Sequence, residues 1–400
     1  MPSQHVLVLN CGSSSFKFAI IAASTGHEIL SGLAERLGDA APSLKYKFSG
    51  TKTVVELPPH AEHKAAILKL VDLITELKLG DDLVAVGHRV VHGGEAFTQS
   101  ILVDGDVLAA IQQTSALAPL HNPANLLGID VATSAFKHLP QIAVFDTAFH
   151  QTMPEHAYLY ALPYEMYQKH GIRRYGFHGT SHCYVSEQTH QILGLDKNNS
   201  KIVTAHLGNG CSVTAIKNGR SVDTSMGLTP LEGLVMGTRS GDIDPGLFAY
   251  LSDQLGYSSK DIDTLLNKQS GLLGISALSN DCRTIEEAAA NGHKQAQLAL
   301  EMFCFRLAKY IASFAVSLGG LDALVFTGGI GENSDLIRQR VIEQLAFFGM
   351  TCDHDKNQAA RFGHQGIIST NDSNVIALVV PTNEEWVIAK DAARITKETK

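Results

Sequence analysis

Short apolar runs alternate with long amphipathic ones along the whole chain, and few architectures accommodate that alternation. The runs VLVLN from Val6, LVAVGHRVV from Leu83, QIAVFDTAF from Gln141, KIVTAHLG from Lys201, DALVFTGG from Asp322 and NVIALVV from Asn374 predict strands. Residues 62–78, 292–317 and 334–349 repeat apolar side chains at three- and four-residue spacing and predict helices. The pattern predicts α/β layers, with helices packed on mostly parallel sheets. At 400 residues the chain exceeds one ordinary core, so two domains are expected.

An internal echo supports two related domains. LNCGSSSFKFAI (Leu9–Ile20) aligns with AHLGNGCSVTAI (Ala205–Ile216), half a chain away: Gly12 falls on Gly208, Ala19 on Ala215 and Ile20 on Ile216. Each reads as strand, small-residue turn, strand. Such a turn exposes consecutive backbone N–H groups, and glycine admits close approach of an anion. The first turn is therefore expected to hold phosphate, with Lys17 neutralising it. A third glycine cluster, Val325–Asn333 (VFTGGIGEN), follows a strand and opens a helix, where anions are also favoured. No G-x-x-x-x-G-K-[ST] occurs, so a Walker-type loop is excluded.

The net charge of −8 argues against a nucleic-acid or membrane-surface partner, either of which calls for a basic field. Six cysteines are scattered with no C-x-x-C pair, which reads as reduced thiols in a cytoplasmic protein. The N-terminus enters a strand with no leader pattern, and the apolar region near 307–325 is too interrupted to span a bilayer. No H-E-x-x-H and no G-x-S-x-G is present, which disfavours a zinc protease and an α/β-hydrolase.

Further stretches place charge or imidazole beside glycine or proline: GHRVVHGGE from Gly87, PLHNPAN from Pro119, RRYGFHGTSH from Arg173 and MGTRSGDIDPG from Met236. Asp146 follows a predicted strand, where open α/β sheets place ligands. Taken singly, His88, His92 and His182 read as structural hydrogen-bonders and Asp146 as a turn cap.

In chain order, LVLNCGSSSFKF, GHRVVHGGE, DTAFHQTMP, RRYGFHGTSH, HLGNGCS, DTSMGLTPLEGLVMGTRSGDIDPG, FTGGIGEN and PTNEE resemble the acetate kinase family, the acetate/propionate/butyrate kinases of the actin–Hsp70–sugar kinase superfamily. The resemblance covers essentially the whole chain. It implies an α/β fold of two duplicated actin/ribonuclease H-like domains, with mixed sheets flanked by helices and an active-site cleft between them. The first domain is expected over residues 1–150, with a final helix near 385–400 returning to it, and the second over 151–384. Closure on nucleotide and a homodimer are expected as well.

The implied reaction is reversible, Mg2+-dependent phosphoryl transfer from ATP to acetate, giving acetyl phosphate and ADP, with Mn2+ able to replace Mg2+. Position by position, the resemblance assigns Asn10 and Glu384 to the metal. Lys17 and the turn His206, Leu207, Gly208, Asn209 and Gly210 go to the phosphates, with Ser13, Ser15 and His121 as lesser site positions. Asp281, Cys282 and Arg283, with Gly329, Ile330, Gly331, Glu332 and Asn333, go to the nucleotide. Arg89 is assigned to the acetate carboxylate and Asp146 to a catalytic acidic role. His178 and Arg239 are assigned to the transferring phosphoryl group, and Val91, Leu120, Phe177 and Pro230 to the wall around the methyl group.

These types suit the chemistry. Two anions must be brought together, so charge cancellation and in-line positioning dominate. An arginine over the equatorial oxygens is worth ~10³–10⁵ in rate. Acetate is already ionised and needs no general base, so Asp146 reads better as an orienter of an arginine or of metal-bound water. Branched Val91 and bulky Phe177 favour acetate over propionate. Cys211 reads as a buried inert thiol, and Trp386 as packing between domains. The rivals are another short-chain acyl kinase, and a non-catalytic nucleotide switch, for which Arg89, His178 and Arg239 have no use.

Overall fold

The computed structural model describes residues 4–118 and 121–399, so Leu120 lies outside the described residues. The chain divides into two compact units, Met1–Phe149 with Asn383–Lys400, and His150–Thr382. Among the described residues the first unit holds one eight-stranded sheet in the order β5-β4-β3-β2-β1-β6-β8-β7. Its strands are β1 (His5–Cys11), β2 (Phe16–Ala22), β3 (Glu28–Glu35), β4 (Ser43–Phe48), β5 (Thr51–Glu56), β6 (Leu83–Val90), β7 (Ile101–Leu102) and β8 (Gln141–Phe145). The second unit holds a six-stranded sheet, β11-β10-β9-β12-β14-β13, built from β9 (Lys201–Leu207), β10 (Cys211–Lys217), β11 (Arg220–Thr224), β12 (Ala323–Thr327), β13 (Gly366–Ile367) and β14 (Ile376–Val379).

The two sheets share one plan. In each, three strands meander antiparallel (β3-β2-β1 and β11-β10-β9), and two further strands add in parallel to the first (β6 and β8, β12 and β14). Each closes with a short antiparallel edge strand, β7 or β13. This is the duplicated actin/ribonuclease H-like arrangement. The sheets are mixed, which corrects the mostly parallel reading of the periodicity; β3, β4 and β5 supply much of the antiparallel half.

Both faces of the first sheet are covered, which is why β1 reads as an unbroken apolar run. Leu7 and Leu9 pack with Phe16, Phe18, Ile67, Leu70 and Val131, against helices His63–Glu76 and Asn122–Ala135. Val6 and Val8 point the other way and pack with Ala85, Val144, Ile388 and Ala392, against helix Glu384–Glu398. Gly87 permits that contact, since a Cβ there would come within 2.6 Å of Ile388. In the second unit, helix Lys294–Leu318 packs on β9 and β10, and helix Gly179–Leu193 on β9 and β12. Trp386, expected between domains, has its indole anchored in the first unit: Nε1 donates to the Ala23 carbonyl (3.1 Å) and the ring lies over Gly26.

His88 sits on β6 between β1 and β8, 2 % exposed, with Nε2 2.8 Å from Gln141 Oε1. Burial lowers its imidazole to about 4, against which the Gln141 contact works upward. Because the folded value lies below the unfolded one, the associated stability is fully present above pH 6.5 and is lost as the pH falls toward 4. Thermal unfolding at pH 7 and pH 5 is expected to show a loss of about 2 kcal/mol that His88→Asn does not share. Identical pH dependence in the two proteins would show that His88 is not the group responsible.

Candidate active site

The first unit gathers an ionic cluster at the carboxyl ends of its parallel strands, where the backbone of one strand stops and side chains can reach past it. Arg89 lies near the end of β6, and Asp146 follows β8, its N–H bonded to the Val90 carbonyl at 3.0 Å. Arg89 forms a two-pronged contact: Nη2 donates to Asp146 Oδ2 at 2.7 Å and Nε to Oδ1 at 3.0 Å. Asp146 is 2 % exposed and Arg89 about a fifth exposed. Burial alone would lower Arg89, but the carboxylates of Asp146, Glu384 and Glu385 raise it above its ordinary value, so its charge is fixed.

Glu384 opens the helix Glu384–Glu398. Its Oε1 is buried without a hydrogen-bond partner. Burial raises its carboxyl, Arg89 opposes that, and Asp146 and Glu385 add to it, leaving the value above the ordinary carboxylate range. Lys17, expected to face phosphate, is ion-paired with Glu385, whose carboxyl it holds below the usual range against the effect of burial. Asn10 is opposite Lys17 in the β1–β2 pairing. An oxygen of a buried carboxylate left without a partner fits a hard cation. Among the described residues no cluster of three or more His, Cys, Asp or Glu side chains forms a protein-only metal cage.

The β1–β2 turn carries Ser13 and Ser15. Ser13 is exposed, and Ser15 accepts the Gly12 N–H at 2.8 Å through its carbonyl. His63 Nε2, 2.7 Å from the Gly12 carbonyl, and Asn125 Nδ2, donating to the Cys11 carbonyl at 2.8 Å, fix this turn from behind. Val91 bonds through its N–H to Asn125 Oδ1, and His121 stands at the residue before helix Asn122–Ala135.

In the second unit the β9–β10 turn, Gly208 to Gly210, is the counterpart of Gly12–Ser15. Gly208 N–H donates to the Gly210 carbonyl (3.1 Å), and the Asn209 carbonyl accepts from Gly237 N–H (2.9 Å). Gly237 has to be glycine, because a Cβ would sit 2.0 Å from Asn209 Oδ1. Over this turn stand Arg239, whose Nη1 donates to the Pro230 carbonyl (3.0 Å), and His178; a Cβ on Gly210 would lie 3.3 Å from Arg239 Nη1 and 3.7 Å from His178 Nε2. His178 adopts φ +57°, a left-handed conformation costly for a non-glycine residue, just ahead of helix Gly179–Leu193. Its ring stacks on His206 at 4.2 Å. Phe177 is buried, with its carbonyl 2.9 Å from His150 Nε2. Cys211 is buried, its thiol donating to the Gly208 carbonyl, and burial pushes it up to about 12, so it stays protonated.

Beside the turn is a cavity of about 570 Å³. Gly208, Asn209, Asp281, Cys282, Arg283, Gly329, Ile330 and Asn333 line it, all of them sequence-assigned. Asp281 caps helix Cys282–Ala290 by accepting from Arg283 N–H (2.9 Å). Gly328, at φ +77° and with no room for a Cβ against the Leu207 carbonyl, turns the chain from β12 into the short helix Gly328–Asn333. Gly331, Glu332, His206, Leu207 and Gly210 are not among the lining residues. Glu332 instead turns its carboxylate inward, accepting from the N–H groups of Gly328 (2.9 Å) and Thr382 (3.1 Å).

Five lining residues escaped the sequence reading: Asn280, Glu286, Ser334, Arg361 and Phe362. Asn280 adjoins the assigned Asp281 and donates to Asn209 Oδ1 at 2.9 Å, so its neighbourhood was a usable signal. Phe362 is 76 % exposed at φ +55°, held by its N–H to Asn333 Oδ1 (3.0 Å) and with the Arg361 guanidinium 4.9 Å from its ring. An exposed aromatic ring kept in a strained conformation at the rim of a cavity offers a stacking surface; no local pattern marks it.

Comparison with known proteins agrees with this geometry. The model of the acetokinase family matches residues 5–390. A curated acetate kinase from Shewanella amazonensis is 58% identical over 400 residues, covering all of both chains. Two crystal structures superpose with a TM-score of 0.93: a propionate kinase from Francisella tularensis, 50% identical over 97% of this chain and 98% of its own, and the acetate kinase of Porphyromonas gingivalis, 46% identical over 98% of this chain and all of its own. The chain belongs to the acetokinase family.

Proposed function

We propose that the protein transfers the γ-phosphoryl group of ATP to acetate, reversibly, as an acetate kinase. The observation that carries this reading is the buried Arg89–Asp146 pair with Glu384 beside it. A nucleotide switch has no need of a fixed cation held at strand ends by a carboxylate. An acyl kinase does, because its acceptor is itself an anion.

Each residue then has a task. Asp146 occupies Nε and Nη2 of Arg89 and so fixes the direction of the guanidinium edge that remains for the acetate carboxylate. The 570 Å³ cavity takes the nucleoside, and the backbone of Gly208–Gly210 takes the phosphates. Arg239 and His178 cover the oxygens of the transferring group, and Lys17 exchanges Glu385 for phosphate. Asn10 and Glu384 would hold Mg2+, or Mn2+, which supplies charge neutralisation on the polyphosphate. Val91 in the first unit, and Phe177 and Pro230 in the second, are the residues we assign to the acetate methyl.

We also propose that two copies associate. Exposed apolar side chains run along helix Lys294–Leu318 at Leu298, Met302, Phe305 and Val316, beside exposed Phe347. The spacing repeats on one helix face, and this surface exceeds what scattered exposed residues explain. The six free cysteines support a reducing compartment, the cytoplasm. Among the described residues no helix is long and apolar enough to cross a membrane.

The decisive assay supplies Mg-ATP with acetate, propionate or butyrate and traps acyl phosphate as the hydroxamate. Acetate is expected to turn over best and propionate about 5- to 150-fold less well, since one methylene is worth ~1–3 kcal/mol. Propionate equal to or better than acetate would make this a propionate kinase, and no acyl phosphate from any acid would leave the nucleotide switch. Asp146→Asn is expected to raise the KM for acetate about tenfold and to lower kcat by about 10²-fold, because Arg89 loses its orientation. A fall in kcat with unchanged KM and a lost ionisation would instead make Asp146 an acid–base group. In sedimentation velocity the native protein is expected to run as a dimer and Phe305→Asp as a monomer; a native monomer removes the association proposal.

A further inference from the structure

Behind His178 lies a chain of hydrogen bonds that the reaction as described does not use. Thr204 Oγ1 on β9 is 2.7 Å from His182 Nδ1, His182 Nε2 is 2.7 Å from Ser212 Oγ on β10, and Ser212 Oγ is 2.9 Å from His178 Nδ1. Thr204, His182 and Ser212 are all fully buried. A buried hydroxyl proton needs an acceptor, and each neutral imidazole has one N–H and one bare nitrogen.

Those two rules fix the direction of every bond. The Thr204 hydroxyl has no side-chain partner other than His182 Nδ1 among the described residues, so it donates there. His182 then carries its proton on Nε2 and donates to Ser212. Ser212, whose other contact is His178, donates to His178 Nδ1. With Nδ1 accepting, the proton of neutral His178 resides on Nε2, the nitrogen that lies toward Gly210 in the phosphate turn.

We propose that Thr204, His182 and Ser212 are positioning residues that hold His178 neutral with its Nε2–H aimed at the transferring phosphoryl group. The proposal rests on the role assigned to His178 above. Protonating His178 at Nδ1 would turn the Ser212 contact into two facing donors, and relieving it would strand the Ser212 proton without an acceptor. Arg239 shares the surroundings of Gly210 with His178, His206 stacks on it, and His150 and His206 lie beside His182. Burial keeps His182 neutral, with those two rings lowering it further.

The test is a titration of the 15N-histidine-labelled enzyme by NMR, with the His178 signal identified by its loss in His178→Gln. The native enzyme is expected to show neutral His178 with the proton on Nε2 from pH 6 to 8. Ser212→Ala, which removes the donor to Nδ1, is expected to raise the His178 midpoint by about one pH unit. Thr204→Val, which keeps the volume and removes the first donor, is expected to admit the Nδ1–H form. A proton on Nδ1 in the native enzyme, or a midpoint unmoved in folded Ser212→Ala, overturns the relay. Because the spectrum is read without turnover, an Nε2–H signal in an enzyme that makes no acyl phosphate supports the relay while removing the phosphoryl-transfer reading.

Discussion

Everything that the first unit can do chemically follows from one buried ion pair. A guanidinium taken out of water is costly unless carboxylates meet it with good geometry, and Asp146 meets Arg89 through two of its nitrogens. The pair needs a platform. Asp146 follows β8, Arg89 lies near the end of β6, and the Asp146 N–H bonded to the Val90 carbonyl ties the end of one strand to the loop after the other. Glu384 brings a second carboxylate to the same cation, from a helix whose first turn favours negative charge. The excess of acid over base in this cluster is what makes a divalent cation a natural third party.

The second unit works with backbone where the first works with side chains. Its turn and its cavity are shaped by glycines that admit close approach, at Gly237 by the Asn209 side chain and at Gly328 by the Leu207 backbone. Beside that backbone stand the guanidinium of Arg239 and the imidazole of His178. A polyphosphate distributed over N–H groups stays exchangeable, whereas the same charge met by a row of lysines would be held too firmly for turnover in both directions.

The sequence was most informative where burial is symmetrical or backbone shape is demanded. VLVL in β1 is apolar at every position because helices cover both faces, and the glycine cluster after β12 stands out because Gly328 sits at φ +77° with no room for a Cβ. Strands β3, β4 and β5 went unread because their outer positions carry lysine, threonine and glutamate, which mask a half-buried strand. The internal echo identified a real duplication partly by accident. Cys11 pairs with Phe16 across the first turn but Leu207 with Cys211 across the second, so the first loop is one residue longer. Gly12 and Gly208 are true counterparts, while Ala19 matches Thr214 in the pairing pattern rather than Ala215. Arg361 and Phe362 reach the cavity only because the fold returns a distant loop to it.

Helix Glu384–Glu398 covers one face of a sheet whose first strand begins at His5. During synthesis, Val6, Val8, Ala85 and Val144 must therefore wait, uncovered, until residues 384–398 have left the ribosome, whereas residues 150–382 emerge as one uninterrupted stretch and can fold as they appear. The unit made first is completed last. Chains truncated before residue 384 would display a water-exposed apolar sheet face, giving the cell's quality control a simple mark by which unfinished copies can be told from finished ones.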